Sequence, residues 1–194
     1  MNVLSSLDAS LFFAVNNGLS TPWLDGVMTF FTVAGDFAGW ALFGALFILL
    51  WDTPNAKRRL LAFAAALALS GGTVNLIKEV VARDRPLEAF KQGIDAGTVT
   101  IHTPYHELVA RSFPSGHTQA AFTAALFFVL YYRHRGWGAL LLTTASLVGF
   151  SRIYVGAHYP ADVAAGALLG AAGAWLVWRL DREAPFKPAP GDAR

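Results

Sequence analysis

Residues 57–86 read KRRLLAFAAALALSGGTVNLIKEVVARDRP, and they indicate the class of fold. Its apolar part runs from Leu60 to Ile77 without a charged residue, and basic residues stand at both of its ends. An α-helix of roughly 20 residues crosses a hydrocarbon layer about 30 Å thick. The stretch is therefore predicted to contain a membrane-spanning helix.

The composition of the whole chain also indicates a membrane protein. Of its 194 residues, 55% are hydrophobic and only 14% are charged, whereas about a quarter of the residues in a soluble domain are charged. The net charge of +2 comes from basic residues scattered between apolar segments, which argues against nucleic acid as a partner. The chain has no cysteine, which excludes disulfides and thiolate catalysis.

Further apolar segments lie on both sides of this stretch. We predict an all-α integral membrane bundle of about five transmembrane helices, within residues 22–51, 60–82, 113–132, 137–155 and 160–180. The first segment is longer than a span requires, so either Gly35 and Asp36 mark a break in it or its outer end projects from the membrane. Residues 1–21 are too short and too polar to span, and we expect an interfacial helix there. Residues 1–182 are then expected to form a single domain.

Basic residues in the short connections predict the orientation of the bundle, because cytoplasmic loops retain Lys and Arg. Three clusters mark the cytoplasmic side: Lys57, Arg58 and Arg59; Arg133 and Arg135; and Arg179, Arg182, Lys187 and Arg194. Residues 1–56 contain neither Lys nor Arg, which places the N-terminus outside. We therefore expect an inner (plasma) membrane protein with an external loop at 87–112 and a disordered cytoplasmic tail at 183–194.

Six basic residues remain at the outer side, where the same rule disfavours them: Lys78, Arg83, Arg85, Lys91, Arg111 and Arg152. Contact with lipid headgroups is one explanation. An anion site is another, because Lys78 and Arg85 share one face if the helix continues as far as Pro86. Arg83 and Asp84, which lie between them, are interpreted as a local ion pair.

Two more segments at the same side carry histidines. Residues 113–117, Phe-Pro-Ser-Gly-His, open a predicted helix whose free backbone N–H groups suit an anion. Asp162 follows His158 by four residues, close enough to hold one ring nitrogen while the other faces a substrate. The predicted topology brings both segments together with Arg152. Fixed cations and two histidines fit phosphoryl transfer, and this chemistry requires no metal ion or other cofactor.

These residues resemble the signature of the type 2 phosphatidic acid phosphatase superfamily, which reads K-x6-R-P, P-S-G-H and S-R-x5-H-x3-D. The three parts match residues 78–86, 114–117 and 151–162, in the family's order. The resemblance covers about residues 57–180. It implies a membrane phosphatase that acts on lipids.

The resemblance also implies a role for each matched residue. His158 is expected to attack phosphorus and form a phosphohistidine, while Asp162 orients its imidazole. His117 is expected to protonate the leaving oxygen and then to activate water. The residues expected to bind phosphate are Lys78, Arg85, Ser115, Gly116 and Arg152.

The expected substrate is a lipid phosphate or pyrophosphate of the outer leaflet, and similarity to short bacterial members of the family favours undecaprenyl pyrophosphate. Phosphatidylglycerophosphate, phosphatidic acid and lipid A stay open as alternatives. A lipid phosphotransferase or a non-enzymatic lipid transporter would use the same cations. Besides the substrate and the bilayer, the sequence points to no obligate protein partner.

Overall fold

The computed structural model describes residues 3–105, 111–132 and 135–183. Within these ranges the regular secondary structure is helical, which confirms the predicted all-α class. The helices are α1 (Val3–Asn16), α2 (Pro22–Ala34), α3 (Phe37–Trp51), α4 (Ala56–Val81), α5 (Pro86–Ala89), α6 (Lys91–Asp95), α7 (Gly116–Tyr132), α8 (Arg135–Tyr154) and α9 (Pro160–Glu183).

Helix α7 forms the centre of the bundle, where it packs against α9, α8, α4 and α3. Small residues make this possible, since Ala120, Ala121, Ala124 and Ala125 of α7 are fully buried. Small side chains let neighbouring helix backbones approach closely. The contact with α9 is so close that a Cβ on Gly170 would lie 2.3 Å from the carbonyl oxygen of Gln119. This crossing therefore requires glycine at position 170.

Within the described part of the chain, two segments are long and apolar enough to cross a membrane: Thr53–Asp95, which contains α4, and Pro160–Arg182, which is most of α9. Helices α2 and α3 together form a third candidate span, bent by 64°. Asp36 caps α3 at the bend by accepting a 2.9 Å hydrogen bond from the Ala38 N–H. Of the two alternatives for this long segment, the structure has the break. The count of about five spans remains a prediction.

Helix α1 coincides with the helix predicted near the N-terminus, and it packs against α8 and α9. Phe12 is fully buried there, in a cluster with Ile153 and Tyr159. Asn16, also buried, donates hydrogen bonds of 2.7 Å to the carbonyl oxygens of His102 and Tyr154. Helix α1 thus joins the connection that follows α6 to the end of α8. Its interfacial position remains a prediction.

The predicted external loop at 87–112 contains most of α5 and all of α6, and residues 106–110 lie outside the described ranges. Of the tail predicted at 183–194, only Glu183 is described, as the last residue of α9. At that end of the bundle, Arg58 and Arg59 of α4 pair with Asp181 at 2.8 and 3.5 Å. We call this the basic end, and it joins α4 to α9.

A Gly170→Ala substitution tests the close contact between α7 and α9. The added Cβ would overlap the Gln119 carbonyl oxygen, so we expect the free energy of unfolding to fall by about 1–3 kcal/mol. Thermal denaturation of the detergent-purified protein measures this change. The matched control is Gly26→Ala on α2, where a Cβ meets nothing within 4 Å. Equal stability of the two variants would contradict the interpretation.

Candidate active site

The three matched segments meet at one end of the bundle, opposite the basic end. Helix α7 begins there at Gly116 and helix α9 at Pro160. The two helix starts are joined by a 2.9 Å hydrogen bond from the Ser115 N–H to the carbonyl oxygen of Asp162. We call this the site end. All eight residues predicted for the site lie there: Lys78, Arg85, Ser115, Gly116, His117, Arg152, His158 and Asp162.

His158 lies in the short connection between α8 and α9, and only 1% of it is exposed. Its Nδ1 lies 3.6 Å from Asp162 Oδ2, and its Nε2 lies 3.3 Å from Arg85 Nη1. Burial, together with the charges of Arg85 and Arg152, lowers the pKa of His158 from its ordinary value of 6.5 to about 3. The ring is therefore neutral near pH 7, with one nitrogen toward a carboxylate and the other toward a cation.

Asp162, in the first turn of α9, is completely buried. Its Oδ1 accepts a 2.7 Å hydrogen bond from Arg83 Nη1. Its Oδ2 accepts from the Tyr159 N–H at 2.9 Å and from the Ser112 hydroxyl. Both carboxylate oxygens are thus held, and Oδ2 is the one that faces His158. Because an acceptor on this side favours a proton on Nδ1, the lone pair of Nε2 is left toward Arg85.

Arg152, near the end of α8, is 2% exposed. Its Nε and Nη1 atoms are buried and have no hydrogen-bond partner within the described part of the chain. A buried donor without a partner costs about 1–3 kcal/mol, and more when the group is charged. An anion bound beside Arg152 would satisfy these donors. This is the clearest sign in the structure of a site for a phosphate group.

Lys78 and Arg85 also reach the site, although they do not share the helical face on which the sequence placed them. Helix α4 ends at Val81, and Ala82 follows with a left-handed conformation, φ 44°. Arg85 therefore lies beyond the helix, where its Nη1 donates a 3.0 Å hydrogen bond to the Ala157 carbonyl oxygen. Lys78 Nζ donates to the Arg111 carbonyl oxygen at 2.7 Å. Their charges interact with each other across the bend.

Ser115 and Gly116 form the start of α7. The Ser115 hydroxyl accepts a 2.9 Å hydrogen bond from Thr118 Oγ1 and is buried. A Cβ on Gly116 would meet nothing within 4 Å. The backbone at this helix start therefore has open space beside it, as an anion held by a helix N-terminus requires.

His117 lines a cavity of about 440 Å³ between α3, α4 and α7, and Asp36 and Gln119 line it as well. Its ring interacts electrostatically with Arg152 and Arg85. The two histidines thus differ in their surroundings, because His158 is buried and His117 lies beside open space. A group that leaves the phosphate on the side of His117 would have room in this cavity.

Sequence reasoning missed three residues of the site: Asp8, Arg83 and Ser112. Arg83 pairs with Asp8 and Asp162, both at 2.7 Å, instead of forming the local pair with Asp84. Arg83 belongs to the outer basic residues that the charge rule disfavours, so a carboxylate partner for it could have been sought on the N-terminal helix. For Ser112 the sequence holds no such signal.

Known proteins resemble this chain in sequence and in fold. A protein of Escherichia coli (strain K12), provisionally described as the undecaprenyl-diphosphatase YbjG, is 31% identical over 182 residues, which are 91% of this chain and 85% of that protein. The crystal structure of LpxE from Aquifex aeolicus has a TM-score of 0.74 at 30% identity, covering 89% of this chain and 95% of the other.

A second solved structure is the transmembrane PAP2 type phosphatidylglycerolphosphate phosphatase of Bacillus subtilis. It has a TM-score of 0.67 at 27% identity, and the match covers 95% of this chain and 89% of the other. The family described as the PAP2 superfamily matches residues 59–185. The signature expected from the sequence, the helical bundle and these relatives agree, and this chain belongs to the PAP2 superfamily as a membrane lipid phosphatase.

Proposed function

We propose that the protein hydrolyses undecaprenyl pyrophosphate to undecaprenyl phosphate and phosphate, through a phosphohistidine formed on His158. The observation that carries the proposal is the position of this neutral, buried ring between Asp162 and the cation Arg85. In the first step the Nε2 lone pair bonds to phosphorus as the bond from phosphorus to the leaving oxygen breaks. Asp162 stabilises the positive charge that develops on the ring.

Cations bind the phosphoryl oxygens while the phosphoryl group is transferred to His158. Arg152 contributes its buried donors, which have no partner among the described residues, and Arg85 and Lys78 contribute the nearby positive charges. The open backbone at Gly116 adds an N–H group at the start of α7. These groups are fixed before the substrate arrives, so little reorganisation accompanies the reaction.

His117 acts first as an acid and then as a base. It gives its proton to the leaving oxygen in the first step and takes a proton from water in the second. The water oxygen then bonds to phosphorus, the bond between phosphorus and Nε2 breaks, and phosphate is released. The cavity beside His117 accommodates the leaving lipid phosphate. No step of this scheme uses a metal ion or another cofactor.

Similarity to the Escherichia coli relative supports a diphosphate substrate. Phosphatidylglycerophosphate is the alternative, supported by the likeness to the Bacillus subtilis structure. The site would face the periplasm or the exterior of the inner membrane, with the C-terminus in the cytoplasm. The charge rule supports this orientation. It places Arg58 and Arg59 at the cytoplasmic side, and they lie at the basic end, opposite the site.

A substrate panel tests the reaction and the role of His158 together. Phosphate release is measured with detergent-purified protein and excess chelator on undecaprenyl pyrophosphate, phosphatidylglycerophosphate, phosphatidic acid and lipid A. We expect undecaprenyl pyrophosphate to be preferred by at least about tenfold, and His158→Ala to lose about 1,000-fold or more of the activity. The matched control is His134→Ala, which changes a histidine between α7 and α8.

Each alternative has its own outcome in that experiment. Preference for another lipid contradicts the substrate, and activity that survives in His158→Ala contradicts the nucleophile. Transfer of labelled phosphate to a second lipid instead of water indicates a phosphotransferase. Lipid binding without any release indicates a transporter.

The role of His117 is tested with an activated aryl phosphate ester. An aryloxide leaves without protonation, so His117→Ala is expected to release about one equivalent per protein and then to stop, because water is not activated in the second step. Rapid mixing measures this burst, and acid-quenched protein is assayed for bound phosphate. Steady turnover by the variant would show that His117 does not act on water.

The neutral state of His158 predicts how its ring responds to pH. Burial lowers the pKa of this ring to about 3, so the nucleophile stays neutral as the pH falls through the ordinary histidine range and is lost only far below it. We expect its nitrogen resonances in ¹⁵N-histidine-labelled protein to stay unchanged down to about pH 5. The His158→Ala variant identifies these resonances. Titration near the ordinary histidine pKa would contradict the buried geometry.

A further inference from the structure

Two residues that the family signature does not specify, Arg83 and Asp8, connect the N-terminal helix to the proposed nucleophile. We propose that Arg83, held by Asp8 of α1, is a positioning residue that keeps Asp162 anionic and turned toward His158. Helix α1 then completes the catalytic centre. This inference rests on the proposed function, since it takes His158 as the nucleophile that Asp162 supports.

The guanidinium of Arg83 bridges two carboxylates. Its Nη1 lies 2.7 Å from Asp162 Oδ1, and its Nη2 lies 2.7 Å from Asp8 Oδ2. The centre of the guanidinium lies 3.9 Å from the centre of the Tyr159 ring. The Arg83 carbonyl oxygen accepts a 2.7 Å hydrogen bond from the Ser112 N–H. With its backbone and its side chain both held, Arg83 is fixed in place.

Because of this bridge, the two carboxylate oxygens of Asp162 have different partners. Arg83 occupies Oδ1, and Oδ2 is left for the Tyr159 N–H, the Ser112 hydroxyl and the ring of His158. Without Arg83, Oδ1 would be a buried charged oxygen without a partner, and rotation of the carboxylate would compete with its contact to His158. Arg83 therefore acts on His158 through Asp162.

Asp8 fixes the other side of the bridge. Its Oδ1 accepts a 2.9 Å hydrogen bond from the Ala161 N–H, in the turn of α9 that carries Asp162. The Asp8 side chain is 9% exposed and the Asp162 side chain is fully buried. Two buried carboxylates thus share one guanidinium. If that cation is removed, their repulsion favours protonation of one of them.

The charge state of Asp162 depends on every titratable group that faces it. Among the residues that the structure describes, these groups are Lys78, Arg83 and Arg85 in and after α4, His158 and Tyr159 before α9, and, across the Arg83 bridge, Asp8 on α1. Among these groups Arg83 is the cation in direct contact with both carboxylates. Its loss therefore leaves a specific electrostatic defect, which a second substitution at Asp8 can relieve.

The test compares Arg83→Gln with the double variant Arg83→Gln/Asp8→Asn. We expect Arg83→Gln to lower kcat by about 100-fold with KM changed by less than about threefold, because positioning and not binding is lost. Asp162 would then take up a proton at higher pH, so the acid limb of the kcat profile moves upward. Adding Asp8→Asn removes the charge that repels Asp162. The double variant is therefore expected to have a kcat at least about tenfold higher than that of Arg83→Gln.

This rescue separates an electrostatic role from a purely structural one. If Arg83 and Asp8 only hold α1 in place, the double variant is the least active of the set, and the inference is wrong. The kcat of Arg83→Lys is expected to lie between those of the wild type and Arg83→Gln, since an ammonium keeps the charge but lacks the forked guanidinium that reaches both carboxylates. The control is Lys91→Gln, an exposed cation on α6, which is expected to leave kcat unchanged.

Folding and the proposed function are checked in the same series. If Arg83→Gln is not monodisperse in detergent, Arg83→Lys with and without Asp8→Asn makes the same comparison, with the same expected rescue. Activity that survives in His158→Ala contradicts the proposed function. An inactive His158→Ala together with no rescue by Asp8→Asn overturns only the inference about Arg83.

Discussion

The site depends on one buried charge, the carboxylate of Asp162. An ionised carboxylate taken out of water loses several kcal/mol of solvation unless charges and hydrogen bonds replace it. Here the replacements come from three parts of the chain: Arg83 after α4, Ser112 before α7 and the Tyr159 N–H before α9. Satisfying this one anion therefore draws the ends of the helices together around His158.

Close packing of α7 on α9 provides the frame for that charge. A Cβ on Gly166 would lie 2.4 Å from the Ser115 carbonyl oxygen, and one on Gly170 would lie 2.3 Å from that of Gln119. The two helix starts therefore lie in backbone contact, with Ser115 hydrogen-bonded to Asp162. The same small residues that let helices pack within a membrane thus set the distance between the two histidine segments.

Arg152 differs from Asp162 in how its hydrogen-bonding groups are satisfied. Asp162 is satisfied on both oxygens, whereas Arg152 keeps buried donors without partners within the described residues. Concentrating Lys78, Arg85 and Arg152 at one end of the bundle destabilises the protein unless an anion is bound there. The arrangement fits a phosphatase, in which fixed positive groups meet the charge that develops on a transferred phosphoryl group.

Much of this protein was predictable from its sequence. The apolar run before Lys78 indicated a membrane helix, and three spaced motifs indicated the family and the eight residues that the structure brings together at the site end. Each of these patterns is local, because a helix repeats every few residues and each part of the signature lies on one segment. The break at Gly35 and Asp36 was also visible, as one of two alternatives.

Other features depend on how distant parts of the chain pack together. Helix α4 ends at Val81, so Lys78 and Arg85 meet across a bend and not along one helical face. Arg83 forms hydrogen bonds with Asp8, 75 residues away along the chain, and with Asp162, 79 residues away, instead of pairing with the adjacent Asp84. A sequence lists the charged residues without their distances in space. Buried carboxylates need a cation beside them. The packing of α1 against α8 and α9 brings Asp8 next to Asp162, so that both carboxylates pair with the Arg83 guanidinium.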